Sequence, residues 1–298
     1  YETLRSLVDH TVSNHFPDNL SDTDEGLIEW LKRVADGTAL MIANWMRIGF
    51  VHGVMNTDNM SIHGLTIDYG PYGWVEDFNP DWTPNTTDSG RKRYKFANQA
   101  KIGGWNYARL LESMAPLLEK PNKLHKALDY YYEAYQNYNN EMWAEKLGLD
   151  GFNIGDDILI SELTALLQSV ETDMTIFFRL LSSINEPDIS HLTYAFYSRE
   201  NIPKQEWNIW LNKWWSRVKQ NPDQEKMKLA NPKYVLRNWM AQLAIDAAEG
   251  DDYSVAIELY ELLRNPYLEQ PEYEETRFKK RPEWARHRVG CSMLSCSS

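Results

Sequence analysis

The chain has 298 residues, enough for one large domain or two small ones. It is 43% hydrophobic with a net charge of −12, so it can build a core but repels polyanions on average, which argues against a non-specific nucleic-acid partner. No run approaches the roughly 18 apolar residues of a membrane helix, and the two cysteines, Cys291 and Cys296, form no disulfide framework and fit a reducing compartment.

The chain opens on Tyr1, and "YETLRSLVDH" already reads as helix. With no initiator Met or leader ahead of it, the expectation is a fragment whose N-terminal part has been cut away, so targeting is not legible. Over 22–49 the apolar residues Leu27, Leu31, Val34, Met41, Trp45 and Ile48 recur at three- and four-residue steps, which predicts a helix. Asp22 with Glu25 resembles a capping box, and Gly49 is a natural stop. Between 50 and 68 the pattern breaks into the short apolar pieces "MSI" and "GLTID" with His63-Gly64 between them, which predicts two short strands joined by a tight turn. The stretch 70–98, rich in Pro, Gly, Asn and Asp, reads as a long ordered loop.

Further helices are predicted over 98–115, 122–147, 157–169, 173–182, 204–219, 232–249 and 254–264. Asn231-Pro232 marks the start of one of these and Gly250 its end. Trp207, Trp210, Leu211, Trp214 and Val218 share one helical face and are assigned to the core, as are Tyr130, Tyr131, Tyr132, Tyr135 and Tyr138. The acidic cluster Glu76, Asp77 and Asp81 is read as a solvated loop face. "GRKRYK" at 90–95 either contacts phosphate or steadies that acidic loop. The seven histidines show no metal-ligand spacing, and neither H-E-x-x-H nor C-x-x-C occurs.

The chemistry concentrates at 52–70. A hairpin of the predicted length returns the chain to its starting level, so Asn59 before the first strand and Asp68 at the end of the second can face one another. An amide oxygen and a carboxylate are hard ligands suited to Mg²⁺. Protein kinases hold their metals this way, with an Asn of the catalytic loop and the Asp of D-F-G. Here the second motif is Asp68-Tyr69-Gly70. Laying the kinase pattern H-R-D-L-x-x-x-x-N over 52–59 matches His52 and Asn59, with Gly53 at the Arg position. Val54 falls where the catalytic Asp belongs and cannot accept a proton. Asp58 is an extra carboxylate beside Asn59. His52 is read as a structural, hydrogen-bonded histidine.

At these residues the chain resembles the selenoprotein O family of kinase-fold enzymes. "HGVMNTDNMSI" and "TIDYGPYGW" are similar to its catalytic and metal segments. "RYKFANQAKIGGWNYARL", "NPKYVLRNWMAQLAIDAA", "NPYLEQPEY" and the terminal Cys-Ser-Ser also fit. The resemblance implies an enzyme that binds ATP in a turned-over orientation and transfers AMP to Ser, Thr or Tyr hydroxyls of proteins. It implies Asp58 as base, with Asn59 and Asp68 holding Mg²⁺ or Mn²⁺, and Asp68 also at the nucleotide. The implied fold is mainly α: a protein-kinase-like C-lobe with a small β-hairpin over 1–120, then a helical C-terminal region over 121–298. The N-lobe, with its glycine-rich loop and phosphate-gripping arginines, is expected to be absent from this chain, leaving the fragment alone inactive.

Cys296 occupies the family's selenocysteine position, and the resemblance links it to a redox disulfide for which Cys291 is the partner within this sequence; free tail thiols are the other reading. The implied compartment is cytoplasmic in a bacterium and mitochondrial in a eukaryote, with the cytoplasm favoured. Two rival functions stay open. One is a kinase-like small-molecule phosphotransferase, suggested by His52-Gly53 and D-Y-G but set back by Val54, since those enzymes also need the Asp there; the other is a non-catalytic nucleotide-binding scaffold.

Overall fold

Helix dominates the chain because its apolar residues recur with the 3.6-residue period over most of its length. A computed structural model describes residues 1–18, 21–291 and 294. The chain divides into two compact units, each assembled from three separated segments.

The first unit comprises Tyr1–Asn44, Val54–Tyr69 and Asn98–Asn139. It contains α1 (Glu2–His15), most of α2 (Asp24–Ile48), α3 (Gln99–Met114) and much of α4 (Leu124–Lys146). Val8 and Val12 of α1, Leu27, Leu31 and Val34 of α2, Tyr107 and Leu111 of α3, and Ala127 and Tyr131 of α4 form one buried cluster. Each fully buried large side chain of this kind contributes about 1.5–3 kcal/mol. Of the tyrosines assigned to the core, Tyr131 is buried, but Tyr132 is 50% exposed. The start of α2 differs from the capping box expected at Asp22. Thr23 is the cap, its Oγ1 accepting from Gly26 N at 3.1 Å, while Glu25 pairs with Lys123. Gly49 does end the helix, with φ of +76°.

The second unit comprises Trp45–Gly53, Gly70–Ala97 and Asn140–Ser298. It holds β1 (Phe50–Val51), β2 (Gly73–Trp74), α5 (Asp156–Ser169), α6 (Met174–Leu181), α7 (Lys204–Arg217), α8 (Gln224–Ala230), α9 (Asn238–Ala248), α10 (Ser254–Leu263) and α11 (Pro271–Arg277). The tryptophan stripe of α7 is core, as its spacing predicted. Trp207, Trp210 and Trp214 are fully buried, and the last two donate their indole N–H to Leu159 O and Leu147 O at 2.9 and 2.8 Å.

Asn231-Pro232 does not start a helix. Lys233 N and Tyr234 N donate to Pro266 O, and α9 begins only at Asn238. The Asn231 side chain is spent elsewhere: its Nδ2 donates to Lys146 O and its Oδ1 accepts from Lys146 Nζ at 2.8 Å. Lys146 is buried, and burial, reinforced by Arg47, pulls its pKa well below the ordinary lysine value.

Glu76 corrects a further expectation. It is buried, not solvated, and shares Arg237 with Asp173. Arg237 Nη1 and Nη2 reach the two Asp173 oxygens at 2.6 and 2.9 Å. Burial raises the Glu76 pKa, with Arg237 opposing it. Asp81 is exposed and takes Lys95 Nζ at 2.5 Å, while Asp88 accepts from Arg93 N and Tyr94 N. The basic "GRKRYK" strip thus braces the acidic loop.

Arg281 and Arg286 both pair with Glu171 and lie over the Tyr197 ring. Beyond them Leu294 bridges to the 84–86 loop, its N donating to Pro84 O at 2.9 Å and its O accepting from Thr86 N at 2.8 Å. Cys291 is not an exposed tail thiol. It is buried in the core, and burial pushes its pKa up. Cys296 lies outside the described residues.

Candidate active site

The entry to the motif region lies in the second unit. Phe50 stands opposite Trp74 in the β1–β2 pair, their rings 5.2 Å apart. His52 is buried beside the Trp45 and Phe50 rings. Gly53 stands at the kinase Arg position for a steric reason. Its φ is +81°, and a Cβ there would lie 2.2 Å from Pro71 O. The Gly53 carbonyl accepts from Asn85 Nδ2 at 3.1 Å.

The loop itself, 54–69, belongs to the first unit. Met55 is fully buried, and its carbonyl accepts from Asn106 Nδ2 of α3 at 3.0 Å. A 3-10 turn, Thr57–Asn59, follows and is closed by Asn59 N donating to Asn56 O at 3.1 Å. The Asn59 Nδ2 donates to Val54 O at 3.0 Å. A carbonyl can only accept, so the bond fixes the amide orientation and turns Oδ1 the other way. Asp58 is exposed on the same turn.

A second turn follows, with His63 N and Gly64 N donating to the Ser61 Oγ and O at 3.1 and 3.3 Å. The His63 ring stacks on Phe16 at 5.5 Å. Gly64, at φ +63°, sits directly on α2, where a Cβ would lie 2.6 Å from Gly37 O. The chain then runs past Leu65 and Ile67 to Asp68, which is exposed and adopts φ of +54°. Positive φ is uncommon outside glycine, Asp and Asn tolerate it best, and it clusters at functional sites.

The predicted tight turn at His63-Gly64 is present, but the strands "MSI" and "GLTID" are not. The two-stranded antiparallel sheet forms outside them, at 50–51 and 73–74. Burial explains the shift. Leu65, Ile67 and Tyr69 alternate but are 60%, 38% and 61% exposed, so a ladder there would bury no apolar face. At the flanks, Val51 and Val75 are buried and the Phe50–Trp74 pair crosses the strands.

The donor set on this loop is oxygen only: the Asn59 Oδ1 and the Asp68 and Asp58 carboxylates. Oxygens of this kind are hard ligands, the type that Mg²⁺ takes. Among the described residues no cluster of three or more His, Cys, Asp or Glu could hold a metal by itself. No helix of the described residues is long and apolar enough to cross a membrane. Sequence reasoning missed Asn106 and Gly37, which hold the loop from α3 and α2. Asn106 lies inside the "GGWNYARL" stretch, where a buried polar residue on a helix's apolar face was the available signal.

Residues 1–264 match the family described as "Protein adenylyltransferase SelO", and the chain belongs to that family. Its relatives include the "Protein nucleotidyltransferase YdiU" of Flavobacterium johnsoniae, 48% identical over the whole of this chain and 59% of the relative. The proteins of the same name from Aromatoleum aromaticum and Rhodopirellula baltica are 49% and 45% identical, covering 99% and 100% of this chain. The chain thus spans about three-fifths of the length of these relatives, 58–60%.

Proposed function

We propose that this protein is a nucleotidyltransferase that moves AMP from ATP to Ser, Thr or Tyr hydroxyls of other proteins. The observation that carries the reading is the 54–59 turn. The Val54 carbonyl holds the Asn59 amide, leaving Oδ1 for a cation, while the one carboxylate on the turn is Asp58 and not residue 54. The family and the names of its relatives point the same way.

In this reading the acceptor hydroxyl oxygen attacks the α-phosphorus. An O–P bond forms as the bond from that phosphorus to the α,β-bridging oxygen breaks, and pyrophosphate leaves with the electron pair. Asp58 accepts the hydroxyl proton. Asn59 and Asp68 would hold Mg²⁺ or Mn²⁺, which supplies charge neutralisation on the phosphates. The bonds to the Val54 and Met55 carbonyls, with Gly64 packed against the Gly37 backbone, keep the turn in place, so little reorganisation is needed as charge develops. Val54 disfavours direct phosphoryl transfer, since no proton acceptor stands at that position.

The test uses full-length protein with ATP labelled at the α- or the γ-phosphate. Label from the α-phosphate should enter protein. Label entering only from the γ-phosphate would sink the reading. Asp58→Ala should retain nucleotide binding and lose transfer by roughly 10²–10⁴-fold, the range for general-base help, whereas Asp68→Ala should weaken metal-nucleotide binding as well.

A further inference from the structure

Beside the Thr57–Asn59 turn, the first unit contains a cavity of about 340 Å³, in the range of about 300–1,000 Å³ usual for binding pockets. Its buried members are Val34 and Thr38 of α2 with Gly103, Asn106 and Tyr107 of α3, while Met60, Ile62 and Leu110 are half-buried. Thr57, Arg109 and Ser113 are exposed and mark its open side.

The polar groups of this cavity are largely committed to the protein itself. Thr38 Oγ1 donates to Val34 O at 2.8 Å, Tyr107 OH to Leu31 O at 2.7 Å and Ser113 Oγ to Leu110 O at 2.7 Å. Asn106 Nδ2 is bonded to Met55 O, and its Oδ1, although unpartnered, is sealed from solvent. A nucleobase, which is recognised through its donor and acceptor edge, would find little here to read it. An apolar group would find Val34, Met60, Ile62 and Leu110.

Thr57 and Met60 line the cavity and flank Asp58 and Asn59 directly in the chain, so the opening adjoins the turn to which an acceptor hydroxyl would be brought. We propose that the cavity is a specificity pocket for a bulky apolar side chain of the acceptor polypeptide. That side chain stands at one fixed offset from the modified hydroxyl. The proposal rests on the adenylyl-transfer reading above.

The experiment presents the full-length protein with α-labelled ATP and a peptide library having a central Ser, Thr or Tyr and randomised flanks. Labelled peptides should be enriched for Leu, Met or Phe at one fixed offset from the hydroxyl. Ser113→Trp, made at an exposed rim position, should remove that preference and raise the KM for a selected peptide about tenfold or more. Peptide-independent AMP release should be unchanged. Leu110→Ala should shift the preference towards larger side chains, a gain that misfolding cannot imitate. Labelled peptides without an apolar offset, or a preference that survives Ser113→Trp, would overturn the pocket while leaving AMP transfer standing. If α-label enters neither peptide nor protein, the transfer reading falls and the pocket with it.

Discussion

Arg237→Met is the substitution that most sharply tests the internal electrostatics. Arg237 is buried and lies between Asp173, reached through both guanidinium nitrogens at 2.6 and 2.9 Å, and Glu76, which is also buried. Burial disfavours its charge, but the two carboxylates overcome that and raise its pKa. Removing the guanidinium leaves two acids facing each other out of water. Breaking one buried pair costs about 3–5 kcal/mol, and the shared geometry places this case at the upper end.

The loss should also depend on pH. In the wild type, burial raises the folded Glu76 pKa above 4.5, so its contribution is full below 4.5 and is lost as pH rises through the folded value. Without Arg237, which opposes the rise, Glu76 holds its proton to still higher pH. Stability of the variant should therefore recover on acidification by up to about 1.4 kcal/mol per pH unit, the slope for one extra proton bound in the folded state. Urea unfolding followed by tryptophan fluorescence at pH 5.5 and 8 measures both quantities. A loss below about 1 kcal/mol at pH 8, or one independent of pH, would refute the assignment of a charged buried triad.

Lys146→Met should flatten the alkaline limb of stability. The folded lysine has a lowered pKa, so the unfolded chain binds more protons and wild-type stability rises with pH up to about 10.5; an unchanged slope between pH 7 and 10.5 would count against it. Asn106→Leu should leave the buried Met55 carbonyl unpaired at a cost of about 1–3 kcal/mol, and should lower transfer more than nucleotide binding, read by α-label incorporation beside a nucleotide titration. Gly64→Ala must place a Cβ against backbone at positive φ, so it should lower the Tm and abolish transfer; retention of both would mean the loop does not rest on α2.

Periodicity made most of the helices legible, because a stripe such as Leu27, Leu31 and Val34 has one stable use, burial against neighbouring helices. The tryptophans of α7 were readable for the same reason. Local signals failed where a long-range partner claimed the residue. Asn231 looked like a helix cap but serves Lys146, and Glu76 looked like a solvated loop acid but serves Arg237, 161 residues away. The hairpin failed because alternation at Leu65, Ile67 and Tyr69 signals a strand only when one face is covered. Of the candidate site, the order His52, Asp58, Asn59, Asp68 was legible from motif spacing alone. What braces it was harder to read: Asn106 shows only as a polar residue on the apolar face of α3, with nothing to tie it to Met55, and Gly37 carries no signal within its own segment.

The meeting of Gly37 and Gly64 is lopsided, and that lopsidedness should be visible in a mutational scan. A Cβ on Gly37 would sit 3.6 Å from the nearest Gly64 atom, an ordinary contact, whereas one on Gly64 would collide with the Gly37 carbonyl at 2.6 Å. Gly37 lies inside a helix, where alanine is favoured by roughly 0.8–1.0 kcal/mol. Two residues that touch would thus show opposite tolerance, alanine accepted at 37 and rejected at 64. A method that infers contacts from paired sequence variation would see nothing linking them, although the loop rests at that point.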